Sequence, residues 1–140
     1  MTDKEIEIQY ALGSLPIKML WKLAYNKKTS PRILDVLSDD EDLNMISNIA
    51  YNPNTPEHTL FKIFRKYANY HPGESFGYDL SRNPSTPVKL LVKLSKSRHS
   101  AIRSNVARNP SAPKEILIIL SKDKDRWIRH VAVKQLRLKI

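Results

Sequence analysis

Two interleaved series of apolar positions run along the chain. The first is Leu34/Leu37, Leu60/Ile63, Leu90/Leu91/Leu94 and Ile116/Leu117/Leu120; the second is Met45/Ile49, Phe76/Leu80, Ile102/Val106 and Ile128/Val131. Apolar side chains that return every three or four residues predict amphipathic helices. Polar stretches at 38–42, 95–100 and 121–125 separate the two members of a pair. A helix pair of this length cannot bury its apolar face alone, so neighbouring pairs must stack and share a core, which is the logic of a solenoid.

A five-residue mark punctuates the series: Asn52-Pro53-Asn54-Thr55-Pro56, Asn83-Pro84-Ser85-Thr86-Pro87 and Asn109-Pro110-Ser111-Ala112-Pro113, with Asn26-Lys27-Lys28-Thr29-Ser30 as a degenerate first copy. The asparagines fall 26, 31 and 26 residues apart. Proline lacks an amide donor and disfavours helical geometry in the residue before it, so Asn-Pro ends a helix, while the asparagine amide can satisfy nearby backbone groups. Thr55 and Thr86 are expected to cap the next helix at its N-terminus, with Pro56 and Pro87 at the first helical position. Ala112 offers no capping oxygen. At the end of the chain Ile128-Arg129 recurs 26 residues after Ile102-Arg103, but Val131-Ala132 only 25 after Val106-Ala107, which suggests the loss of one residue.

These residues resemble the leucine-rich repeat variant (LRV) family, whose repeat is similar to Val-Arg-x-x-Val-Ala-x-Asn-Pro-x-Thr-Pro-x-x-x-Leu-x-x-Leu. The nearest copy is Ile102-Arg103-Ser104-Asn105-Val106-Ala107-Arg108-Asn109-Pro110-Ser111-Ala112-Pro113, running on to Leu117 and Leu120. The resemblance covers roughly residues 15–140 and, more distantly, extends to HEAT-type repeats, including DNA glycosylases built from them. It implies an all-α fold, a right-handed superhelical solenoid in which an α-helix alternates with a shorter, partly 3₁₀ helix. About five two-helix repeats are expected in a single domain spanning 1–140, with 1–21 as N-terminal cap, 22–130 as repeats and 131–140 as C-terminal cap. Some LRV members hold a cysteine-ligated iron–sulfur cluster. This chain has no cysteine, so that feature is not carried over, and thiolate zinc sites, disulfides and cysteine nucleophiles are excluded with it.

Charge changes the picture. The 140 residues hold 24 Lys+Arg against 14 Asp+Glu, a net charge of +10. Residues 1–70 have nine of each sign, so the whole excess lies in 71–140, the footprint of a surface that meets a polyanion. The longest aliphatic run, Ile116–Leu120, is five residues, far short of a membrane span, and the acidic N-terminus lacks a secretory layout. A cytoplasmic protein without membrane partner or small-molecule substrate is expected.

Catalytic chemistry finds little support in the sequence, and no cofactor or metal is expected. His58, His71, His99 and His130 lack metal-ligand spacing, and Asp39-Asp40-Glu41-Asp42 reads as a solvated helix start rather than a calcium loop. A glycosylase would need a carboxylate in a basic, aromatic cleft, for which Asp79 or Asp125 beside Trp127 can be nominated. Binding residues are easier to name, because a repeat aligns equivalent positions in columns. The residue before each asparagine is Tyr25, Tyr51, Arg82 and Arg108; Arg103 and Arg129 form a second column; Lys89, Lys93 and Lys96 share a stripe at i, i+4 and i+7. Such arginines can instead cap helix carbonyls or bridge repeats; the LRV pattern has a basic residue at the Arg103 position, which favours structure there, whereas Arg82 and Arg108, where Tyr stands in the earlier copies, favour function. The longer spacing of 31 marks an insertion within 66–77, where Tyr67, Tyr70 and His71 are candidate contacts and Phe76 is core. The expected function is a non-catalytic binding module for an acidic protein surface or other polyanion, the alternatives being nucleic-acid backbone binding and, last, a HEAT-like-repeat DNA glycosylase.

Overall fold

A computed structural model describes residues 1–68 and 74–139. Every regular element among them is an α-helix: α1 (Asp3–Ala11), α2 (Ile17–Tyr25), α3 (Pro31–Leu37), α4 (Leu43–Tyr51), α5 (Glu57–Tyr67), α6 (Glu74–Arg82), α7 (Val88–Leu94), α8 (Ser100–Arg108), α9 (Lys114–Leu120) and α10 (Arg126–Leu138). The expected 3₁₀ partner is absent from the described residues; α3, α7 and α9 are short, at seven residues, but fully α-helical.

The helices form two rows. Even-numbered helices pack directly on one another in succession, α2 on α4, α4 on α6, α6 on α8 and α8 on α10. After α1 on α3, the odd-numbered helices make their closest packing with the even helices on either side. Every apolar position of both sequence series is buried in one continuous core, from Leu34 and Met45 through Phe76 to Ile128 and Val131. Burial of each such side chain is worth about 1.5–3 kcal/mol, which is why the rows cannot separate. Gly77 marks the closest approach: a Cβ added there would lie 3.0 Å from Ile102 Cδ1. Helix α2 runs through the expected boundary at residue 21, because Leu20, Ala24 and Asn26 take the places that Ile46, Ala50 and Asn52 take one repeat later.

The punctuation works differently from the expectation. Pro56, Pro87 and Pro113 are themselves the N-caps of α5, α7 and α9, without side-chain cap bonds, and their carbonyls accept the first helical hydrogen bonds from Leu60, Leu91 and Leu117. The threonines before them face backwards. Thr29, Thr55 and Thr86 donate their hydroxyls to the carbonyls of Leu23, Ile49 and Leu80 at 2.6, 2.7 and 2.6 Å. Each adds a donor to a carbonyl in the last turn of the preceding even helix; those of Ile49 and Leu80 also accept from the amides of Asn52 and Asn83. Only Ser30 acts as foreseen for a hydroxyl, accepting from Ile33 N with Pro31 at the first helical position.

The asparagines tie one repeat to the one before. Asn52 Nδ2 donates to the carbonyls of Ala24 and Asn26, Asn83 Nδ2 to Ala50 and Asn52, and Asn109 Nδ2 to Ser81 and Asn83, all at 2.8–3.0 Å. Their Oδ1 atoms accept from the amides of Asn54, Ser85 and Ser111. All three side chains are buried, and each uses its full planar amide.

The insertion begins as extra helix, since α5 has 11 residues where α3, α7 and α9 have seven. No residue is missing near the end. Arg129 donates to the carbonyl six residues before it, as Arg103 does, and α10 is continuous, so the residue 26 after Val106 is the fully buried Ala132.

Candidate functional site

The wall built by the even helices carries the exposed column. In α4, Ala50 and Asn52 are buried on either side of Tyr51, so the helical turn sends Tyr51 outward; Ser81 and Asn83 do the same to Arg82, and Ala107 and Asn109 to Arg108. Tyr25, Tyr51, Arg82 and Arg108 are therefore all exposed on one wall. Lys134 follows them 26 residues after Arg108 and is exposed too. The exposed aromatic side chains Tyr78 and Trp127 stand on the same row, on α6 and α10, and Trp127 keeps 55% of its surface in water.

Cations and rings interleave here. The Arg82 guanidinium lies over Tyr51 at 4.7 Å and over Tyr78 at 5.5 Å, and that of Arg108 over Trp127 at 5.9 Å. Trp127 in turn stacks on His130 with ring centroids 5.6 Å apart. Such contacts are worth about 0.5–1 kcal/mol each at exposed sites, enough to orient a guanidinium without neutralising it. Among the described residues, neither Arg82 nor Arg108 pairs with a carboxylate. Asp79, one turn before Arg82, is turned into the wall and accepts from the Ser47 hydroxyl. Burial raises its carboxyl above the ordinary range, against the Ser47 hydrogen bond and the Arg82 charge.

The other arginine column does not belong to this surface. Arg103 is buried, with Nε and Nη2 on the two oxygens of Asp123 at 2.8 and 3.1 Å and Nη1 on the Ser97 carbonyl at 2.8 Å. Its counterpart Arg129 is half-buried and donates to the carbonyls of Asp123 and Lys124. Both hold loops in place; Arg103 commits Nε, Nη1 and Nη2, whereas Arg129 commits only Nη1. Lys89 and Lys93 are exposed on α7 and Lys96 is exposed in the turn after it, beyond the helix end, so these three stand on the odd row and do not join Arg82 and Arg108. Tyr67 is buried against Phe76, ring centroids 4.6 Å apart, and is unavailable for stacking on a ligand. Tyr70 and His71 lie outside the described residues.

The nominated carboxylates are committed to structure: Asp79 as above, and Asp125 as N-cap of α10, its Oδ1 accepting from the amides of Trp127 and Ile128. Among the described residues no three His, Asp or Glu side chains converge in a way that could hold a metal ion, and no helix is long and apolar enough to cross a membrane.

A recess of about 300 Å³ opens on the even wall between α6, α8 and α10, lined by Tyr78, Ser104, Asn105, Arg108, Asp125 and Trp127 among others. Asn105 escaped the sequence reading. Its Nδ2 is buried without a hydrogen-bond partner. The reason is visible in the repeat: Asn105 stands 26 residues after Asp79, which takes its bond from Ser47, but 31 residues after Ser47 comes Tyr78, an exposed ring beside Arg82 instead of a short hydroxyl. Aligning the positions three before Tyr51, Arg82 and Arg108 (Asn48, Asp79 and Asn105) is the signal that could have found it. No family model, curated protein or solved structure matches the chain.

Proposed function

We propose that the chain is a non-catalytic, right-handed solenoid of about five LRV-like repeats that recognises an acidic protein segment along the wall formed by α4, α6, α8 and α10. The observation that supports this reading is the alternation of exposed aromatic rings with carboxylate-free arginines, Tyr51–Arg82–Tyr78 and Arg108–Trp127, on a single row of helices. Arginine and large aromatic residues dominate binding energy at interfaces, and guanidinium groups pair with carboxylates in a bidentate fork. The even helices pack more closely along the stack than the odd ones, which supports reading theirs as the inner wall, a surface that suits an extended partner. Nucleic acid is the second reading, favoured by the same rings, since exposed bases stack on aromatic side chains. It ranks below because Lys89, Lys93 and Lys96 stand on the other row, so the basic side chains are divided between two rows instead of gathered along one phosphate track.

Labelled oligoglutamate, duplex DNA and single-stranded DNA, titrated at low and near-physiological salt, separate the two. Binding of oligoglutamate that is lost in Arg82→Glu/Arg108→Glu is the expected result. Tight oligonucleotide binding with a steep salt slope, and none to oligoglutamate, would replace the first reading with the second.

A further inference from the structure

We infer that the recess between α6, α8 and α10 is a carboxylate subsite, in which Arg108 and the orphan amide of Asn105 together hold one Asp or Glu side chain of the partner. This rests on the acidic-partner reading above and adds to it the point at which the partner is gripped.

The argument starts from a debt in the fold. A buried N–H without an acceptor loses the hydrogen bond it had with water, a penalty of about 1–3 kcal/mol that an incoming acceptor removes. Asn105 Nδ2 is such a group among the described residues, and Asn105 lines the recess. An acceptor arriving there meets a second donor on the same helix, for Arg108 lies three residues on, its guanidinium held over Trp127 at 5.9 Å and free of any described carboxylate. Residues three apart on a helix are neighbours on its surface, so one ligand group can reach both. Ser104 also lines the recess, and no hydrogen bond to the described residues engages its hydroxyl.

Size and charge narrow the ligand. A space of about 300 Å³ lies at the bottom of the range for small-molecule pockets and suits a single side chain. The rings of Tyr78 and Trp127 offer apolar wall for the methylenes of a Glu or Asp. Asp125 sits at the rim with one oxygen committed to the α10 N-terminus. One cation beside one anion accepts a monoanion that takes two donors, but penalises a phosphate dianion facing the Asp125 carboxylate. The recess therefore selects carboxylate over phosphate.

The test uses the full chain with three acetylated peptides: oligoglutamate, oligoglutamine of the same length and a phosphoserine peptide. The readouts are affinity and the side-chain amide resonance of Asn105 in a ¹H–¹⁵N spectrum. Oligoglutamate is expected to bind and shift that resonance downfield, and oligoglutamine to do neither. Asn105→Ala should bind about tenfold more weakly, the lower end for a hydrogen bond to a charged group, and Asn105→Asp should not bind. Because Asn105 Nδ2 makes no bond to the described residues, Asn105→Ala should melt no lower than the wild type, which separates a lost contact from a lost structure. If oligoglutamate binds and Arg82→Glu weakens it while Asn105→Ala and the Asn105 resonance stay unchanged, the subsite is wrong and the acidic-partner reading survives. Absence of oligoglutamate binding at low salt overturns both. Tighter binding of the phosphoserine peptide, with the Asn105 resonance moving, overturns the choice of carboxylate.

Discussion

Arg103 on α8 and Asp123 in the loop before α10 face each other through two hydrogen bonds of 2.8 and 3.1 Å, with both side chains only 7% exposed. Asp123 also accepts from the Asp125 amide, so this pair fixes the loop that launches α10. Removing one partner of a buried pair strands the other charge, at about 3–5 kcal/mol. Asp123→Ala should lose stability of this size in denaturant unfolding, and Arg103→Met, which replaces the cation with apolar volume, should lose as much by leaving Asp123 unpaired. The pH dependence follows in sign. Burial opposes ionisation of Asp123, but the Arg103 and Asp125 hydrogen bonds and the nearby positive charge outweigh it and hold the carboxyl below its ordinary value. A carboxylate whose folded pKa is depressed contributes fully above the unfolded value, ~3.9, and loses its contribution as pH falls through the folded value. The stability gap between wild type and Asp123→Ala should therefore be constant from neutral pH down to roughly 5 and close at lower pH.

Asn83 joins the backbone of two successive repeats, donating to Ala50 and Asn52 and accepting from Ser85. Asn83→Ala leaves the Ala50 carbonyl and the Ser85 amide without these partners, takes one of two donors from the Asn52 carbonyl, and should cost about 2–4 kcal/mol, read as a lower denaturant midpoint. Asn26, exposed at the start of the row, makes a single side-chain bond to the Lys28 amide, and Asn26→Ala should cost well under half of that.

At Ala112 the ladder of back-bonded threonines stops. Thr29, Thr55 and Thr86 occupy the same place and donate to the carbonyl six residues earlier, which for Ala112 is Val106. Ala112→Thr should restore that bond and raise stability by about 1 kcal/mol, seen as a higher melting temperature. A large loss would mean that the buried space around Ala112 has closed and that the position is no longer equivalent to the other three.

Much of this was legible in the sequence, because a repeat states its own core several times. The helical spacing of Leu90, Leu91 and Leu94, or of Ile102 and Val106, identified buried positions that the structure bears out. The Asn-Pro steps marked the helix ends. Direction was harder: Thr55 and Thr86 precede a proline and could cap forwards or backwards, and only the position of the last-turn carbonyls of the even helices decides it. Among the basic columns, the LRV-like pattern set Arg103 apart from Arg108, but did not reveal the partner that makes the difference. That distinction depends on Asp123 arriving from the next loop to meet the first, while the second meets the face of Trp127. Asn105 gave no signal by itself, since its importance lies in a partner, Ser47's counterpart, that the following repeat lacks.

The central claim is that recognition belongs to the even row. The direct test is a ¹H–¹⁵N map of the full chain with and without oligoglutamate. The account predicts shifts concentrated on Tyr51, Tyr78, Arg82, Arg108 and the Trp127 indole, with the amides of Lys89, Lys93 and Lys96 unmoved. Shifts centred on those three lysines, with the Trp127 indole unchanged, would contradict it.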